Sequence, residues 1–419
     1  MTDYWKRCDM SDLKVEELIY DWNRMAEQRV HFPAKIMITD ETLRDGLQSP
    51  SITRPDLEDK VSLLFLMNDL GIACADLGLP GAGARFRDEV AIMAKEIANQ
   101  HLNIQPQAAA RTLIADIEPI VSASQEAGIA IEAALFVGSS PIRQYVEGWT
   151  IDQLRHLVEE AVGFAVGHGL PVMFVTEDTT RAKPEDLQAL YQTAIEAGAH
   201  RICLADTVGH AIPHGAYALV KFIKKFVDEL GVEVGIDWHG HRDRGLDIAN
   251  SLAALSGGAD RVHACALGVG ERSGNTAMEL LLVNLRLLGL IDNNLTKLKD
   301  YTQLVSESTR TPLPYNKPIV GPDAFRTATG VHAAAVAKAM KLHDDWLGNV
   351  VYSGVPADMV GRHQRIEVGP MSGLHNVRFW LEQNGLWASD QCQQEILQAA
   401  KRSNRLLTTE EIMDLIQRF

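Results

Sequence analysis

Residues 171–206 read PVMFVTEDTTRAKPEDLQALYQTAIEAGAHRICLAD, and this stretch contains the pattern that decides the fold. It begins with a short apolar run (171–176) and ends with another (201–206). Between them, residues 183–198 place apolar side chains at helical spacing and end in Gly198, which suits a helix C-cap. A strand, a helix and a second strand in this order predict a parallel βαβ unit.

The same alternation extends outward in both directions. The strand-like runs are KIMIT (35–39), IACADL (72–77), LNIQPQ (102–107), IAIEAALF (129–136), PVMFVT (171–176), RICLAD (201–206), VEVGIDW (232–238) and RVHACAL (261–267). Their first residues are 27 to 42 residues apart, which leaves room for a strand, a loop and a helix each time. Eight such units that close on themselves form a (β/α)8 barrel. The sequence therefore predicts an α/β fold with a (β/α)8 TIM barrel over residues 34–290.

The alternative is an open, doubly wound sheet. Such sheets commonly bind dinucleotides at a Gly-rich turn after the first strand. Here the first strand is followed by TLRDGLQSP (42–50), which lacks that fingerprint, and the count of eight strands favours closure. The closed barrel is therefore the preferred prediction.

Two further segments flank the predicted barrel. Residues 1–33 include VEELIYDWNRMAEQ (15–28) and predict an N-terminal helical extension. Beyond residue 290 the pattern is helical, with an interruption at the Pro-rich TPLPYNKPIVGP (311–322) that indicates a linker. We expect residues 291–419 to form a smaller, mostly helical C-terminal subdomain.

Composition and charge narrow the class of protein. Of 419 residues, 46% are hydrophobic and 23% are charged, which is typical of a globular chain. Forty Lys and Arg residues against 55 Asp and Glu residues give a formal net charge of −15. This charge repels polyanions, so we expect no nucleic acid and no membrane as partners.

The N-terminus and the cysteines indicate the compartment. The first residues lack the apolar core and cleavage site of a secretory signal, and no apolar run is long enough to span a bilayer. The widely spaced, odd-numbered cysteines fit neither a disulfide framework nor a zinc site. They are Cys8, Cys74, Cys203, Cys265 and Cys392. We expect a cytoplasmic protein with buried thiols.

Polar side chains gather at two predicted strand ends, where reactive residues of a barrel lie. The first strand runs into DETLRDG (40–46), which brings a cation and several carboxylates to the barrel mouth. The seventh ends in His239-Gly-His241, and imidazoles at i and i+2 point to the same side of an extended chain. Two imidazoles near a carboxylate suit a divalent metal such as zinc, manganese, iron or cobalt. A polar loop with nothing bound is the alternative.

The eighth strand runs into GVGERSGN (268–275), a Gly-rich turn that opens a helix. A tight turn or a general anion cradle also explains this composition. Asn275 offers a carboxamide oxygen to a metal. Glu271 and Arg272 are expected to form a buried pair that holds the strand ends together.

Three motifs stand at predicted strand ends: DETLRDGLQ (40–48), HGHRDRG (239–245) and GVGERSGN (268–275). Together they resemble the DRE-TIM metallolyase superfamily, specifically its Claisen-condensing branch of 2-isopropylmalate, homocitrate and citramalate synthases. The resemblance continues through NKPIVGPDAFRTATGVHAAAVAKAM (316–340) and VYSGVPADMVGRHQRIEVGPMSGLHNV (351–377). Lyases of the superfamily that cleave hydroxymethylglutaryl-CoA lack this continuation.

The resemblance implies a role for each matching residue. The implied ligands of a divalent metal are Asp45, His239, His241 and Asn275. The metal is manganese, zinc, magnesium or cobalt. The implied catalytic residues are Arg44, Glu177, His332 and Tyr352, and the implied substrate-binding residues are Thr207, Arg143 and Gln48. Arg44 is expected to stabilise a developing alkoxide, and His332 with Tyr352 to remove a proton from the acetyl-CoA methyl group.

The resemblance also implies the reaction and the assembly. Acetyl-CoA is the co-substrate that condenses with a 2-oxo acid, and thioester hydrolysis then releases a 2-substituted malate and CoA. This is an acyltransferase activity of the 2-isopropylmalate synthase type, which belongs to amino-acid biosynthesis. Because residues 291–419 supply the base, often from the other subunit, we expect a homodimer with exchanged C-terminal domains.

Four positions depart from the family pattern. Arg143 replaces a His after the fourth strand, Glu41 and Leu47 replace Thr and Glu, and His210 follows DTVG in place of an aromatic residue. They surround the expected pocket for the acceptor side chain, so a bulkier or aromatic acceptor and the homocitrate and citramalate reactions stay open. A hydroxyacyl-CoA lyase is a second hypothesis, and a metal-binding barrel without catalysis that serves as an assembly partner is a third.

Overall fold

Eight parallel strands form a closed barrel in sequence order within the part of the chain that the structure describes. The structure is a computed structural model that describes residues 18–25, 31–342 and 345–419. The barrel strands are β1 (Met37–Asp40), β2 (Cys74–Asp76), β3 (Gln105–Arg111), β4 (Glu132–Gly138), β5 (Val172–Glu177), β6 (Arg201–Asp206), β7 (Gly235–Gly240) and β8 (Arg261–Ala264). Strand β1 pairs with both β2 and β8, which closes the barrel. The predicted TIM barrel is confirmed.

Helices connect the strands around the outside of the barrel. In the described ranges they are α1 (Leu57–Asp69), α2 (Ala84–Asn99), α3 (Ile114–Ala127), α4 (Pro141–Glu147), α5 (Ile151–Gly167), α6 (Pro184–Glu196), α7 (Pro213–Leu230), α8 (Asp247–Gly257) and α9 (Met278–Leu287). Local sequence sets the ends of these helices. The Asp56 side chain accepts a hydrogen bond from the Asp59 amide at the start of α1, and Gly231, with a φ of 68°, caps the C-terminal end of α7. No described helix has both the length and the apolarity that a membrane crossing requires.

Strand β3 differs from its predicted position. The predicted run was 102–107, but the strand begins at Gln105 and extends to Arg111. Its centre, Ala108, Ala109 and Ala110, is fully buried. Alanine has little strand propensity, so the pattern of β-branched and apolar residues does not mark this segment.

Charged side chains fill part of the barrel interior. Nη2 of Arg261 lies 2.7 Å from Oε1 of Glu132, and Nε of Arg201 lies 2.6 Å from Oδ1 of Asp237. Nε2 of His263 lies 2.8 Å from Oδ2 of Asp237. All five residues are less than a tenth exposed. Buried charges persist when they are paired in this way, and the network joins β4, β6, β7 and β8.

The remainder of the described chain is mostly helical. It contains α10 (Leu298–Thr309), α11 (Gly330–Met340), α12 (Asp345–Val350), α13 (Leu374–Gln383), α14 (Asp390–Arg402) and α15 (Thr409–Gln417), with a short parallel pair β9 (Arg326–Thr327) and β10 (Arg365–Ile366). Helix α10 packs on the barrel, where Tyr301 is fully buried and donates a hydrogen bond to Asp40. A separate core around Trp380 and Ile396 joins α13, α14 and α15. The barrel core thus continues past residue 290, and the domain limits stay a prediction.

Two predictions fall partly outside the described residues. The predicted N-terminal helix lies mainly on residues 1–17 and 26–30, and in the described part Trp22–Met25 form a 3-10 turn. Cys8 is also outside. The four described cysteines, which are Cys74, Cys203, Cys265 and Cys392, are buried and free, as predicted.

Candidate active site

The carboxyl ends of the strands surround a cavity of about 240 Å³. Its polar side chains are Glu41, Arg44, Asp45, Gln48, Glu177, Thr207, His239, His241, His263 and Glu271. Seven of the eleven residues that the sequence assigns to the site are in this set. The other four, which are Arg143, Asn275, His332 and Tyr352, do not line the cavity.

Three of the predicted metal ligands converge at the barrel mouth. The Nε2 atoms of His239 and His241 lie 3.1 Å apart, and Oδ2 of Asp45 lies 3.6 Å from the first and 3.5 Å from the second. All three side chains are buried, and Oδ2 of Asp45 has no hydrogen-bond partner among the described residues. Two nitrogens and one carboxylate oxygen at this spacing fit a divalent metal with open positions.

The protonation states also suit metal binding. Burial, together with the nearby charge of His239, lowers the pKa of His241 to about 4, so its imidazole is neutral and able to bind a metal. Burial raises the pKa of the Asp45 carboxyl, but opposing effects, of which the charge of Arg44 is the largest, outweigh it and lower that pKa below its usual value. The site therefore presents an ionised carboxylate beside neutral imidazole.

Asn275 reaches this site through a tight turn. A backbone bridge joins it to His241. Gly274, with a φ of 100°, makes the turn possible, because a Cβ there would lie 1.9 Å from the carbonyl oxygen of Gly268. Nδ2 of Asn275 donates to the Val269 carbonyl at 3.1 Å, while Oδ1 has no hydrogen-bond partner in the described part of the chain. Its role as a fourth ligand stays a prediction.

Arg44 is fixed by three carboxylates. Its Nη2 lies 2.5 Å from Oε2 of Glu41, its Nε lies 2.9 Å from Oδ2 of Asp76, and its Nη1 lies 3.3 Å from Oδ1 of Asp45. Burial lowers the pKa of this guanidinium, but the three carboxylates reverse the effect and raise that pKa well above its usual value. A fixed, permanently charged group therefore stands beside the candidate metal ligands.

The sequence interpretation missed the roles of Glu41, Asp76 and His263. The sequence marks Glu41 as one of several carboxylates at the barrel mouth and as a departure from the family pattern, but it does not indicate that Oε2 lies 3.1 Å from Nδ1 of His239. Burial lowers the pKa of His263, but Glu41 and Asp237 outweigh it and raise that pKa to about 9. The position of Asp76 at the end of β2 was the one available signal, because strand ends carry reactive groups in barrels.

Glu177 and Thr207 line the cavity at the ends of β5 and β6. Burial raises the pKa of Glu177. Thr207 Oγ1 accepts a hydrogen bond of 2.8 Å from the Asp178 amide. Arg143 on α4 stands beside the cavity, with Nη2 3.9 Å from Oε2 of Glu177, and Gln48 lines the cavity from the loop after β1.

His332 and Tyr352 lie together but away from this cavity. Their rings stack, and both side chains are exposed, Tyr352 at 48%. His332 is in the first turn of α11, and Tyr352 follows α12. The structure brings these two predicted residues to each other but not to the cavity of their own chain.

The predicted buried pair of Glu271 and Arg272 is wrong. Both are exposed, and their closest charged atoms are 3.5 Å apart. Arg272 takes a φ of 54°, which turns its side chain toward the neighbouring strand end. There its Nε lies 2.8 Å from Oδ1 of Asp243 and its Nη2 donates to the Thr207 carbonyl at 2.6 Å. Arg272 therefore joins the ends of β6 and β7 through partners that the sequence did not indicate.

Known proteins resemble this chain over most of its length. The HMGL-like family model matches residues 35–305. A 2-isopropylmalate synthase of Methanocaldococcus jannaschii is 31% identical over 367 residues, which are 87% of this chain and 66% of that protein. A 2-isopropylmalate synthase of Saccharolobus solfataricus is 32% identical over 387 residues, 91% of this chain and 95% of that protein. A homocitrate synthase AksA of Methanothermobacter thermautotrophicus is 32% identical over 363 residues, 86% of this chain and 87% of that protein.

Solved structures support the fold alone, because their identity to this chain is low. A hydroxymethylglutaryl-CoA lyase from Pseudomonas aeruginosa superposes with a TM-score of 0.55 at 20% identity, covering 66% of this chain and 93% of that chain. The HMG-CoA lyase from Brucella melitensis superposes with a TM-score of 0.54 at 18% identity, covering 66% of this chain and 99% of that chain. The match to the family model and the sequence identity to the synthases show family membership as well as the fold. The chain therefore belongs to the HMGL-like family, and the predicted resemblance to DRE-TIM metallolyases is confirmed.

Proposed function

We propose that this protein is an acyltransferase that condenses acetyl-CoA with a 2-oxo acid and hydrolyses the thioester, releasing a 2-substituted malate and CoA. The observation that carries the proposal is the convergence of Asp45, His239 and His241 beside Arg44 in one cavity. Relatives named 2-isopropylmalate synthase and homocitrate synthase support the same reaction class. A scaffold protein would not require these groups together.

The chain's own residues divide the work of the condensation. Asp45, His239 and His241, with Asn275 as the further ligand we propose, would hold a divalent metal that would polarise the keto group as a Lewis acid. Arg44 stabilises the negative charge that grows on the keto oxygen as the carbon–carbon bond forms. The metal is manganese, zinc, magnesium or cobalt, since all accept this donor set.

Other cavity residues hold the two substrates. Thr207 lines the cavity and offers its hydroxyl to the carboxylate of the 2-oxo acid. Glu177 lies near the acetyl-CoA and the acceptor side chain, with Arg143 beside it and Gln48 on the cavity wall. These assignments follow the family motifs that the residues match.

The base comes from the C-terminal region of a second subunit. His332, with Tyr352, takes a proton from the acetyl methyl group in a homodimer with exchanged C-terminal domains. Three features support this arrangement: the two rings are stacked, they are exposed, and they do not line their own cavity. Tyr145 and Val146 on α4, next to the cavity, are 88% and 71% exposed and offer an apolar surface for that subunit.

The acceptor side chain is uncharged. One wall of the cavity is apolar and consists of Leu79, Ala109, Ala134, Phe136, Met173, Val175, Cys203 and Ala205. Among the described residues, Arg44 is the single Lys or Arg on the cavity wall; it contacts Glu41, Asp45 and Asp76, and its proposed role is at the keto oxygen. A second carboxylate on the acceptor would find no other cation on this wall, and Arg143 beside the cavity already has carboxylate oxygens of Glu147 and Glu177 at 3.4 Å and 3.9 Å. This favours the 2-isopropylmalate type, with a branched or bulkier apolar acceptor, over the homocitrate type.

The four described cysteines are free, which suits the reducing cytoplasm in which we place the reaction.

The test is release of CoA thiol from acetyl-CoA with a divalent metal and a panel of 2-oxo acids: pyruvate, 2-oxoisovalerate, 2-oxoglutarate and phenylpyruvate. We expect a signal with an apolar acceptor and little with 2-oxoglutarate. Silence across the panel with metal bound would contradict the proposal, and formation of acetyl-CoA from a 3-hydroxyacyl thioester would establish the lyase instead.

A further inference from the structure

Glu41 joins two parts of the candidate site. Its Oε2 lies 2.5 Å from Nη2 of Arg44 and 3.1 Å from Nδ1 of His239. Its other oxygen, Oε1, lies 2.6 Å from Nδ1 of His263. Glu41 is 3% exposed, so water does not compete for these contacts. A single buried carboxylate thus contacts both the proposed substrate-facing guanidinium and a proposed metal ligand.

The contact with Glu41 determines which nitrogen of His239 is free. An ionised carboxylate accepts hydrogen bonds and cannot donate one. A proton on Nδ1 of His239 suits this 3.1 Å contact, and it leaves the lone pair of the ring on Nε2. Nε2 is the atom that lies 3.1 Å from Nε2 of His241 and 3.6 Å from Oδ2 of Asp45. A carboxylate behind a ligating imidazole fixes the ring and makes it a stronger ligand.

The carboxylate of Glu41 is itself fixed by contacts inside the barrel. His263 connects it to Asp237, whose Oδ2 lies 2.8 Å from Nε2 of His263. Asp237 in turn pairs with Arg201 and Arg261 in the barrel interior. The carboxylate of Glu41 therefore stands at the end of a buried chain of charges, and it cannot move without breaking a contact in that chain.

We propose that Glu41 is a positioning residue of the condensing site: its Oε2 fixes His239 for metal binding and holds Arg44 toward the substrate oxygen. The inference rests on the proposed function, because it takes the roles of His239 and Arg44 from there. It adds a role for a position at which the family pattern has Thr, whose short hydroxyl side chain lacks both the charge and the reach of Glu.

The test compares Glu41→Gln with the unaltered full-length protein, both stripped of metal and titrated with Mn²⁺. The glutamine amide has the size of the glutamate side chain but lacks the negative charge that attracts Arg44 and His239. We therefore expect Mn²⁺ affinity to fall by about 10- to 100-fold. At saturating Mn²⁺, kcat should also fall while KM for acetyl-CoA is unchanged, because Arg44 loses a partner. Unchanged Mn²⁺ affinity and unchanged kcat in a folded variant would overturn the inference.

Glu89→Gln is the matched control. Glu89 also loses a close ion pair, with Nζ of Lys60 at 2.5 Å, but it lies on α2 outside the cavity. We expect its Mn²⁺ affinity and kcat to equal those of the unaltered protein. If the unaltered protein binds none of Mn²⁺, Zn²⁺, Mg²⁺ and Co²⁺, the proposed function fails, whereas Mn²⁺ affinity and kcat that both stay unchanged in Glu41→Gln remove only this inference.

A second measurement covers the case in which Glu41→Gln does not fold. Nitrogen-15 NMR of the unaltered, metal-free protein reports which ring nitrogen of His239 is protonated, with His239→Gln used to assign the signal. We expect the tautomer with the proton on Nδ1. A proton on Nε2 alone would overturn the inference, since Glu41 could then not be the acceptor of the Nδ1 proton.

Discussion

The imidazole of His332 stacks on the phenol ring of Tyr352, with the ring centroids 4.3 Å apart and the ring planes at 29°. If this pair acts on the partner subunit's cavity, each active site combines a barrel from one chain with a base from the other. His332→Ala and Asp45→Asn are each expected to be inactive, since loss of a general base alone costs about 10²–10⁴-fold in rate. A mixture of the two variants, co-expressed to form heterodimers, should regain CoA release because one of its two sites is intact.

The control for this mixing experiment is the pair Asp45→Asn and His241→Ala. Both lesions are in the barrel, so every site in their heterodimer carries one of them and no activity should return. If heterodimers of His332→Ala and Asp45→Asn also stay inactive, the base does not act across the dimer.

Metal binding should stabilise the fold through the three convergent ligands. At a metal concentration of 100 times the dissociation constant, the linkage relation gives a gain of about 2.7 kcal/mol in the free energy of unfolding. Thermal melting of the metal-free protein with and without Mn²⁺ measures this gain. His241→Ala should abolish it, whereas His156→Ala, at a 69% exposed side chain, should keep it. Equal stabilisation of both variants would place the metal elsewhere.

Arg44→Lys should lower kcat although it keeps the charge. A lysine ammonium cannot bond Glu41, Asp45 and Asp76 in the planar arrangement of the guanidinium and also face the substrate oxygen. We expect a loss of about 10²–10³-fold in kcat, as for removal of an oxyanion donor. Arg54→Lys, at an exposed arginine that packs on Phe86, is the control and should leave the rate of CoA release unchanged. A normal rate for Arg44→Lys would remove Arg44 from the mechanism.

Ala134→Leu should make the acceptor pocket smaller. Ala134 belongs to the apolar wall of the cavity, and added methyl groups there occupy the space for the acceptor side chain. The ratio of kcat/KM for 2-oxoisovalerate to that for pyruvate should fall by at least about 10-fold, since a single methylene changes such a ratio by about 10–200-fold and leucine adds three carbon atoms. Pyruvate is the internal control because its side chain is a single methyl group. Equal losses for both acceptors would mean that the wall does not contact the side chain.

The ion pair of Glu132 with Arg261 should make stability depend on pH in the acid range. Burial raises the pKa of Glu132, but Arg261 and His200 outweigh it and lower that pKa from 4.5 to about 2. As the pH falls, the unfolded chain therefore takes up the proton first, and the stabilisation is complete above pH 4.5 and is lost between pH 4.5 and about 2. Removing one partner of a buried pair costs about 3–5 kcal/mol at neutral pH.

Urea unfolding of the unaltered protein and of Glu132→Gln measures this contribution. The difference in unfolding free energy should be largest at neutral pH and should shrink as the pH falls below 4.5. Glu159→Gln, at an exposed position on α5, should show no such difference at any pH. A difference for Glu132→Gln that does not change with pH would mean that the carboxylate charge is not what stabilises the barrel.

Much of the fold could be predicted because its signals are local. Strand β6 was located without error, since RICLAD (201–206) is a short apolar run between two helical patterns. The candidate metal ligands His239 and His241, which the structure brings together, could be chosen because they are two residues apart in the sequence. The predicted position of strand β3 was wrong because the buried centre of the strand consists of alanines. Alanine has little strand propensity, so the hydrophobicity pattern does not mark this segment as a strand.

The role of Glu41 could not be found in this way. Its partners His239 and His263 follow it by about 200 residues, and they meet it only because β1 pairs with β8 when the barrel closes. In the sequence, Glu41 is one more carboxylate in an acidic loop, and such groups are usually solvated. The true partners of Arg272 were missed for a similar reason, because its backbone conformation rather than its neighbours in sequence decides where the side chain points.

Tyr301 has a consequence for how this architecture can be inherited. Its hydroxyl donates to Asp40 and lies 3.3 Å from Oγ1 of Thr42, so a helix beyond the barrel supports the loop that carries Arg44 and Asp45. A recombination event that joined the barrel to a different partner at residue 290 would leave this loop without its support. The barrel and α10 would therefore need to be inherited together for the loop after β1 to keep these contacts.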